Sequence, residues 1–163
     1  MARLLLVRHA PTANTRALAD AVEAGARDDA IEGVEVQASS PDAVDAATVN
    51  DADGLVVVTP ANFGYMAGLV KDLFDRTFLD IGGALADDGS GSDAAVGSAR
   101  TPWALVVHGR YDTEGAVRSV ESIVQALPWR RVAEPLQVLG DVTEADRDAA
   151  YELGATVAAL LSS

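Results

Sequence analysis

The sequence contains no cysteine and few aromatic residues, and its basic residues are outnumbered by acidic ones. Without cysteine, the chain can form neither a disulfide nor a thiolate metal site. Its 12 basic and 25 acidic residues give a formal net charge of −13 at pH 7, which disfavours binding to nucleic acid or to an anionic membrane. No apolar run approaches the roughly 20 residues of a membrane span, and the start has no signal-peptide pattern. We therefore expect a cytoplasmic protein that binds neither nucleic acid nor membrane.

The chain of 163 residues has the length of a single domain, and 49% of its residues are apolar. Five apolar runs have the composition of β-strands: residues 4–7, 34–37, 55–59, 104–107 and, more weakly, 131–139. The first, third and fourth runs are continuously apolar, as in strands that are covered on both faces. The second alternates, and the fifth contains Pro135, which favours edge positions for both.

Helical patterns separate the apolar runs. Helices are predicted near 16–26, 41–50, 66–74, 117–127 and 144–161, the last with Thr143 as N-cap, and apolar residues line one face of the last three. This alternation predicts one α/β domain over residues 1–163, a doubly wound five-stranded parallel sheet of order 2-1-3-4-5 between two helical layers (α/β/α). Residues 81–100 break the rhythm and are interpreted as a surface loop or as a mobile flap over the site.

In a sheet of this order, ligands bind beyond the carboxyl ends of strands one, three and four. Residues 9–15 follow the first strand and precede a helix, whose free N–H groups and dipole favour an anion. Thr12, Asn14 and Thr15 add side-chain donors, so the stretch is predicted to hold a phosphate without lysine. The alternative is an ordinary helix cap.

The other two loops are residues 60–66 and 108–115. In the first of them, Phe63 and Tyr65 suit a flat heteroaromatic ligand, although proline, asparagine and glycine by themselves explain a turn. In the second, glycine allows close backbone approach and Tyr111 offers a ring for stacking. Asp112 or Thr113 is interpreted as the cap of the next helix.

Two of these loops resemble motifs of a known family. Residues 10–15 (Ala-Pro-Thr-Ala-Asn-Thr) and the helix after them resemble the flavodoxin phosphate loop, Ser/Thr-x-Thr-Gly-Asn-Thr. Residues 59–68 resemble the isoalloxazine loop of flavodoxin-like NAD(P)H:quinone and FMN reductases. The resemblance implies noncovalent FMN, with these cofactor-binding residues: His9, Pro11, Thr12, Ala13, Asn14, Thr15, Pro60, Ala61, Asn62, Phe63, Gly64, Tyr65, His108, Gly109, Arg110, Tyr111, Asp112 and Gly115.

The first motif departs from the family pattern at two positions. Ala10 replaces a hydroxyl residue and Ala13 replaces the usual glycine, which removes one hydrogen bond and the backbone freedom of glycine. Arg8 or Arg16 either compensates by charge or is an ordinary exposed arginine. The alternative to FMN is a site that has lost its cofactor.

The resemblance implies an oxidoreductase that passes hydride or electrons from NAD(P)H to a quinone-like acceptor. Such a flavoprotein needs no catalytic acid or base and no metal, because the ring chemistry belongs to the flavin. The alternative is an electron-carrier flavodoxin that meets redox-protein partners through its acidic surface. The sequence leaves both uses open and is compatible with a homo-oligomer.

A second family shares part of the first motif. Arg8-His9, followed by Ala10 and Thr12, resembles the Arg-His-Gly-x-Thr start of histidine phosphatases, with His9 as nucleophile and His108 as second histidine. Against this, alanine replaces the glycine, no Ser-x-Leu-x-Arg-Ala segment follows, and residues 60–68 stay unexplained. A receiver-type signalling module is disfavoured because the third strand ends at a threonine rather than an aspartate.

Overall fold

The computed structural model describes residues 1–90 and 100–162. The strands are β1 (Ala2–Arg8), β2 (Val34–Ser39), β3 (Gly54–Asn62), β4 (Tyr65–Met66), β5 (Thr101–Gly109), β6 (Trp129–Arg131) and β7 (Leu136–Leu139). The helices are α1 (Ala13–Ala26), α2 (Ala46–Asn50), α3 (Gly68–Thr77), α4 (Glu114–Val124) and α5 (Glu144–Leu161), with a short 3₁₀ turn at Pro41–Ala43.

The main sheet is parallel and has the order β2-β1-β3-β5, with β6 and β7 sharing the outer side of β5. The short β4 is the exception, because it pairs antiparallel with the end of β3. With β6 and β7 counted as one interrupted edge strand, this is the predicted order 2-1-3-4-5. The flavodoxin-like α/β architecture is thereby confirmed.

Helices cover both faces of the sheet, because each central strand is apolar on both faces. Leu4 and Leu6 of β1 face α1 and α5, together with the alternate residues of β3 and β5. Leu5 and Val7 face the opposite side, where α3 and α4 pack. Within the described residues, none of the helices combines the length and the apolarity that crossing a membrane requires.

Helices α1 and α5 approach each other closely through two glycines. A Cβ on Gly25 would lie 2.0 Å from the carbonyl oxygen of Tyr151, and one on Gly154 would lie 2.0 Å from that of Val22. Only glycine permits this backbone separation. The contact fixes the position of α1, and with it the helix start that holds the predicted phosphate loop.

The fifth predicted strand, residues 131–139, is wrong in its boundaries. Trp129 pairs with Thr101 and Leu136 pairs with Val106, so the edge advances seven residues while β5 advances five. Two extra residues therefore leave the ladder between β6 and β7. Pro135 lies in this interruption, where its missing N–H costs no hydrogen bond.

Some other element boundaries also differ from the predicted ones. Strand β3 continues to Asn62, and Met66, predicted to be helical, lies in β4. Leu69 and Leu160, assigned to buried helix faces, are exposed, because each lies on the solvent side of its helix. The last helix begins and ends as predicted, and its N-cap Thr143 is confirmed by a capping box.

The segment 81–100 lies partly outside the described residues, which exclude 91–99. Its described beginning is at the amino edge of the sheet: the Cβ position of Gly82 is 2.9 Å from the Pro128 side chain. Its other end leads into β5, where the N–H of Thr101 donates to the carbonyl of Pro128. Both ends therefore lie at the amino edge of the sheet, and the flap interpretation falls partly on residues 91–99, outside the described residues.

Candidate functional site

The carboxyl ends of β1, β3 and β5 lie side by side at one edge of the sheet, and we call these ends and the loops after them the rim. Arg8 of β1 is opposite Val58 of β3, and Pro60 of β3 is opposite His108 of β5. The N–H of His9 donates to the carbonyl of Val58 at 2.9 Å, so the first loop leaves the sheet beside β3. The rim brings the three predicted loops together.

The first loop leads directly into the first turn of α1. Thr12 is the N-cap: its Oγ1 accepts the N–H of Thr15 at 3.2 Å, and the Oγ1 of Thr15 accepts the N–H of Thr12 at 3.0 Å. Within the described residues, the N–H groups of Ala13 and Asn14 have no acceptor. They lie at the positive end of the helix dipole, where an anion is stabilised.

Thr15 and Ala13 differ from the roles that the resemblance implied. Thr15 is fully buried, and its hydroxyl bonds within the loop, so it shapes the loop rather than facing a ligand. Ala13 has ordinary helical backbone, because Phe63 is the only described non-glycine residue with a positive φ. The loop therefore forms without the conformational freedom of glycine at position 13.

The two arginines considered for the phosphate have different positions. Arg8 turns away from the rim and pairs with Asp20 at 2.7 Å and Glu23 at 3.0 Å, both on α1. Arg16 stays beside the loop, where its Nη1 donates to the carbonyl of Pro11 at 3.2 Å. Arg8 therefore stabilises the junction of β1 and α1, whereas Arg16 stabilises the loop itself.

The second predicted loop is a β-hairpin, formed because β3 continues to its tip and β4 returns. Its two turn residues, Phe63 and Gly64, both have positive φ, at 52° and 75°. This is the pattern of a type I′ turn, which favours asparagine or glycine. A bulky residue there is strained, and such strain is concentrated at functional sites. The strain and the exposure of Phe63 make its ring a candidate ligand contact.

The hairpin packs against the start of α4 through glycine. A Cβ on Gly115 would lie 2.1 Å from the carbonyl oxygen of Gly64. A Cβ on Gly109 would lie 2.9 Å from the carbonyl oxygen of Asp112 and 3.2 Å from the Cβ of Ala61. The second and third loops are therefore in backbone contact and form one unit.

Of the two residues predicted to cap α4, Thr113 is at the N-cap position and Asp112 precedes it. The Oδ1 of Asp112 accepts the N–H of Glu114 at 2.9 Å, so Asp112 satisfies one N–H at the helix start without being the N-cap residue. Thr113 occupies the N-cap position, but its hydroxyl donates to the Oε1 of Gln137 at 2.9 Å and makes no cap bond. The hydroxyl of Thr113 thus attaches the third loop to β7.

Three aromatic rings of the rim are open to solvent. The exposed fraction is 109% for Phe63, 46% for Tyr65 and 92% for Tyr111. Apolar side chains that stay exposed together at a loop cluster are typical of a binding site. Exposed rings can stack on a flat aromatic ligand, and this role of the second and third loops stays a prediction.

A fourth turn, between β7 and α5, joins the first and third loops and was absent from the predicted site. The N–H of Gly140 donates to the carbonyl of Gly109 at 2.9 Å, and its carbonyl accepts from the Nε2 of His108 at 2.6 Å. The N–H of Val142 donates to the Oδ1 of Asn14 at 3.1 Å. Gly140 and Asp141, directly after the fifth predicted strand, could have indicated this turn, because that strand ends at the same edge of the sheet.

The two histidines interact with carboxylates on opposite faces of the sheet. The pKa of Asp42, in the turn that packs on α3, is lowered mainly by a hydrogen bond from the Ser40 hydroxyl and in part by the charge of His9. The pKa of Asp146, in α5, is lowered mainly by hydrogen bonds from the helix N-cap and in part by the charge of His108. His108 is buried and its Nε2 donates to the carbonyl of Gly140, so this ring nitrogen is not free to bind the phosphoryl group that a histidine phosphatase would place there.

A groove of about 360 Å³ lies elsewhere, between α3 and α4. Its lining is mainly apolar and includes Phe74, Phe78, Leu79 and Ile123. No residue of the three predicted loops lines it. The groove is therefore separate from the rim, where the ligand site is predicted.

Comparison with solved structures gives strong similarity over the whole chain. A flavodoxin from the domain Archaea superposes with a TM-score of 0.77 over 99% of each chain, at 16% sequence identity. Oxidised flavodoxin 1 from Bacillus cereus superposes with a TM-score of 0.73 over 96% of this chain and 97% of its own, at 17% identity. At these identities the likeness concerns the fold.

Sequence comparison gives a shorter match. A flavodoxin from Aquifex aeolicus (strain VF5) is 36% identical over 88 residues, which is 52% of this chain. The chain matches less than half of that relative, 45% of its length. No protein-family model matches the chain. The resemblance to the flavodoxin-like family, predicted from the two loop motifs, is confirmed by these relatives.

Proposed function

We propose that this flavodoxin-like chain binds FMN at the rim and serves in electron transfer. One observation carries the proposal. A helix start whose N–H groups at Ala13 and Asn14 have no acceptor among the described residues shares one sheet edge with the strained, solvent-exposed ring of Phe63. The first feature suits a phosphate and the second suits a flat ring system, and FMN carries both groups on one molecule.

The residues present fit the two ends of FMN. The N–H groups of Ala13 and Asn14, with the hydroxyl of Thr12, would hold the phosphate. The hairpin and Tyr111 would hold the ring, which supplies the electron-transfer chemistry when it is bound. The contact between Gly64 and Gly115 keeps the hairpin at a set distance from α4. The protein contributes binding and orientation.

The electron-carrier role is the better supported use, because the relatives named above are flavodoxins. With a net charge of −13 at pH 7, the chain would meet redox-protein partners that present a basic surface. NAD(P)H-dependent reduction of a quinone-like acceptor is a finer proposal, supported by the likeness of residues 59–68 to reductase loops. Steady-state oxidation of NADH or NADPH with a quinone distinguishes the two uses. The cytoplasmic location also remains a prediction.

Titration with FMN tests the proposal, with Ala13→Asp as the informative variant. An aspartate in the first turn of a helix stabilises the helix, yet it repels a phosphate. We expect quenching of flavin fluorescence by the unchanged chain and at least tenfold weaker binding by Ala13→Asp, without loss of thermal stability. Ala24→Asp adds the same charge at an exposed position near the other end of α1 and should bind FMN normally. An unchanged chain that binds no FMN would overturn the proposal.

A further inference from the structure

The fourth turn carries a charged bridge between the first and third loops. The Oδ1 of Asp141 accepts a hydrogen bond from the Nη2 of Arg110 at 3.1 Å and lies 3.5 Å from the Nδ2 of Asn14. Arg110 belongs to the third loop and Asn14 to the first turn of α1. The resemblance implied only that Arg110 borders the cofactor. In the structure, its guanidinium is linked to the phosphate loop by Asp141, which contacts both Arg110 and Asn14.

The position of Asp141 is unfavourable for an anion at the same place. Its carboxylate is held next to α1, because the Oδ1 of Asn14 also accepts the N–H of the neighbouring Val142 at 3.1 Å. A negative charge there repels a phosphate bound to the N–H groups of Ala13 and Asn14. Without a counter-charge, Asp141 would oppose the anion affinity of the helix start.

Arg110 is the arginine that is paired with this carboxylate. Arg8 is held by Asp20 and Glu23, and Arg16 donates to a loop carbonyl. The side chains of Arg110 and Asp141 are 54% and 85% exposed, so their pairing adds little to the stability of the fold. The consequence of the pair is therefore electrostatic and local to the phosphate loop.

We propose that Arg110 neutralises Asp141 and thereby lets the rim prefer phosphorylated flavin over riboflavin. The inference rests on the proposed binding of FMN. Arg110 acts here as a positioning residue, because its effect on the phosphate passes through Asp141. Removing the arginine should leave an unpaired carboxylate beside the phosphate, whereas riboflavin, which has no phosphate, should be unaffected.

Flavin fluorescence titrations at low ionic strength test the proposal. Arg110→Gln should weaken FMN binding about fivefold and change riboflavin binding less than twofold, as expected for one charge near a helix start. Adding Asp141→Asn should restore FMN affinity to within twofold of the unchanged chain, and Arg110→Lys should retain it. Arg130→Gln removes an equal charge from an exposed position in β6, at the far side of the sheet, and should leave both affinities unchanged.

Three results would overturn the inference. Equal weakening of FMN and riboflavin binding by Arg110→Gln would mean that the arginine contacts the ring or supports the fold. Failure of the double variant to recover would mean that Asp141 is not the group being neutralised. Unchanged FMN binding by Arg110→Gln would remove the effect altogether. By contrast, absence of FMN binding by the unchanged chain would overturn the proposed function itself.

Discussion

Replacing Gly115 by alanine should separate the hairpin from α4 and weaken binding of FMN. The added Cβ would lie 2.1 Å from the carbonyl oxygen of Gly64, where ordinary contact begins near 3.4 Å. The hairpin must therefore move by about 1.3 Å, and overpacking of this kind costs roughly 1–3 kcal/mol. For a chain of this size, about 2 kcal/mol lowers Tm by about 4–8 °C. A displacement of more than 1 Å at the ring-binding side should weaken FMN binding about tenfold.

Differential scanning fluorimetry and FMN titration measure the two effects. Gly68→Ala is the matched control, because no atom lies within 4 Å of its added Cβ and it begins α3, where alanine is favoured. The control should keep its FMN affinity and its Tm within about 2 °C. If Gly115→Ala kept both the stability and the affinity of the unchanged chain, the close packing of hairpin and helix would not position the site.

Further variants test three separate features. Phe63→Asn should raise Tm by about 2–4 °C, because it relieves left-handed strain of about 1 kcal/mol, and should weaken FMN binding. Tyr111→Ala, which removes an exposed ring from an unstrained position, should weaken FMN binding without raising Tm. A lower Tm for Phe63→Asn would contradict the strain assigned to Phe63. Gly154→Ala should lower Tm by about 4 °C or more, because its Cβ would meet a backbone oxygen of α1 at 2.0 Å, and an unchanged Tm would contradict that packing. The pKa of Asp146 is lowered from 3.8 by hydrogen bonds from the N-cap of α5, so its ionised form stabilises the fold above that pH and the contribution is lost as pH falls. Urea denaturation between about pH 5 and pH 3 measures how much unfolding free energy each variant loses on acidification. Asp146→Asn should lose less than the unchanged chain or the exposed control Asp148→Asn. Equal losses in all three would contradict the role of the cap.

The strand order followed from local patterns because each central strand is apolar on both faces. A continuous run such as residues 55–59 has one stable environment, between two helical layers, and alternation with helices then makes the sheet parallel. The edge strand was harder to predict. It is covered on fewer sides, so two extra residues between Trp129 and Leu136 could leave the ladder at low cost.

The places where ligand groups would bind were predictable in the same way, but their contacts were not. Parallel topology puts the ends of β1, β3 and β5 at one edge, so three loops could be named from sequence. The strain at Phe63 and the contact of Gly115 with Gly64 depend on how a hairpin meets a helix distant in sequence. No local pattern carries that information.

The sequence by itself determined the alternation of strands and helices, the helix start at the first loop and the aromatic content of the second. These depend on periodicity, capping and residue type, which act over a few neighbours. Only the tertiary structure decided that Arg110 pairs with Asp141 beside Asn14, because residues far apart in sequence meet there. Electrostatic interactions depend on distance in space, so the charge beside the proposed phosphate site becomes defined only when the chain has folded.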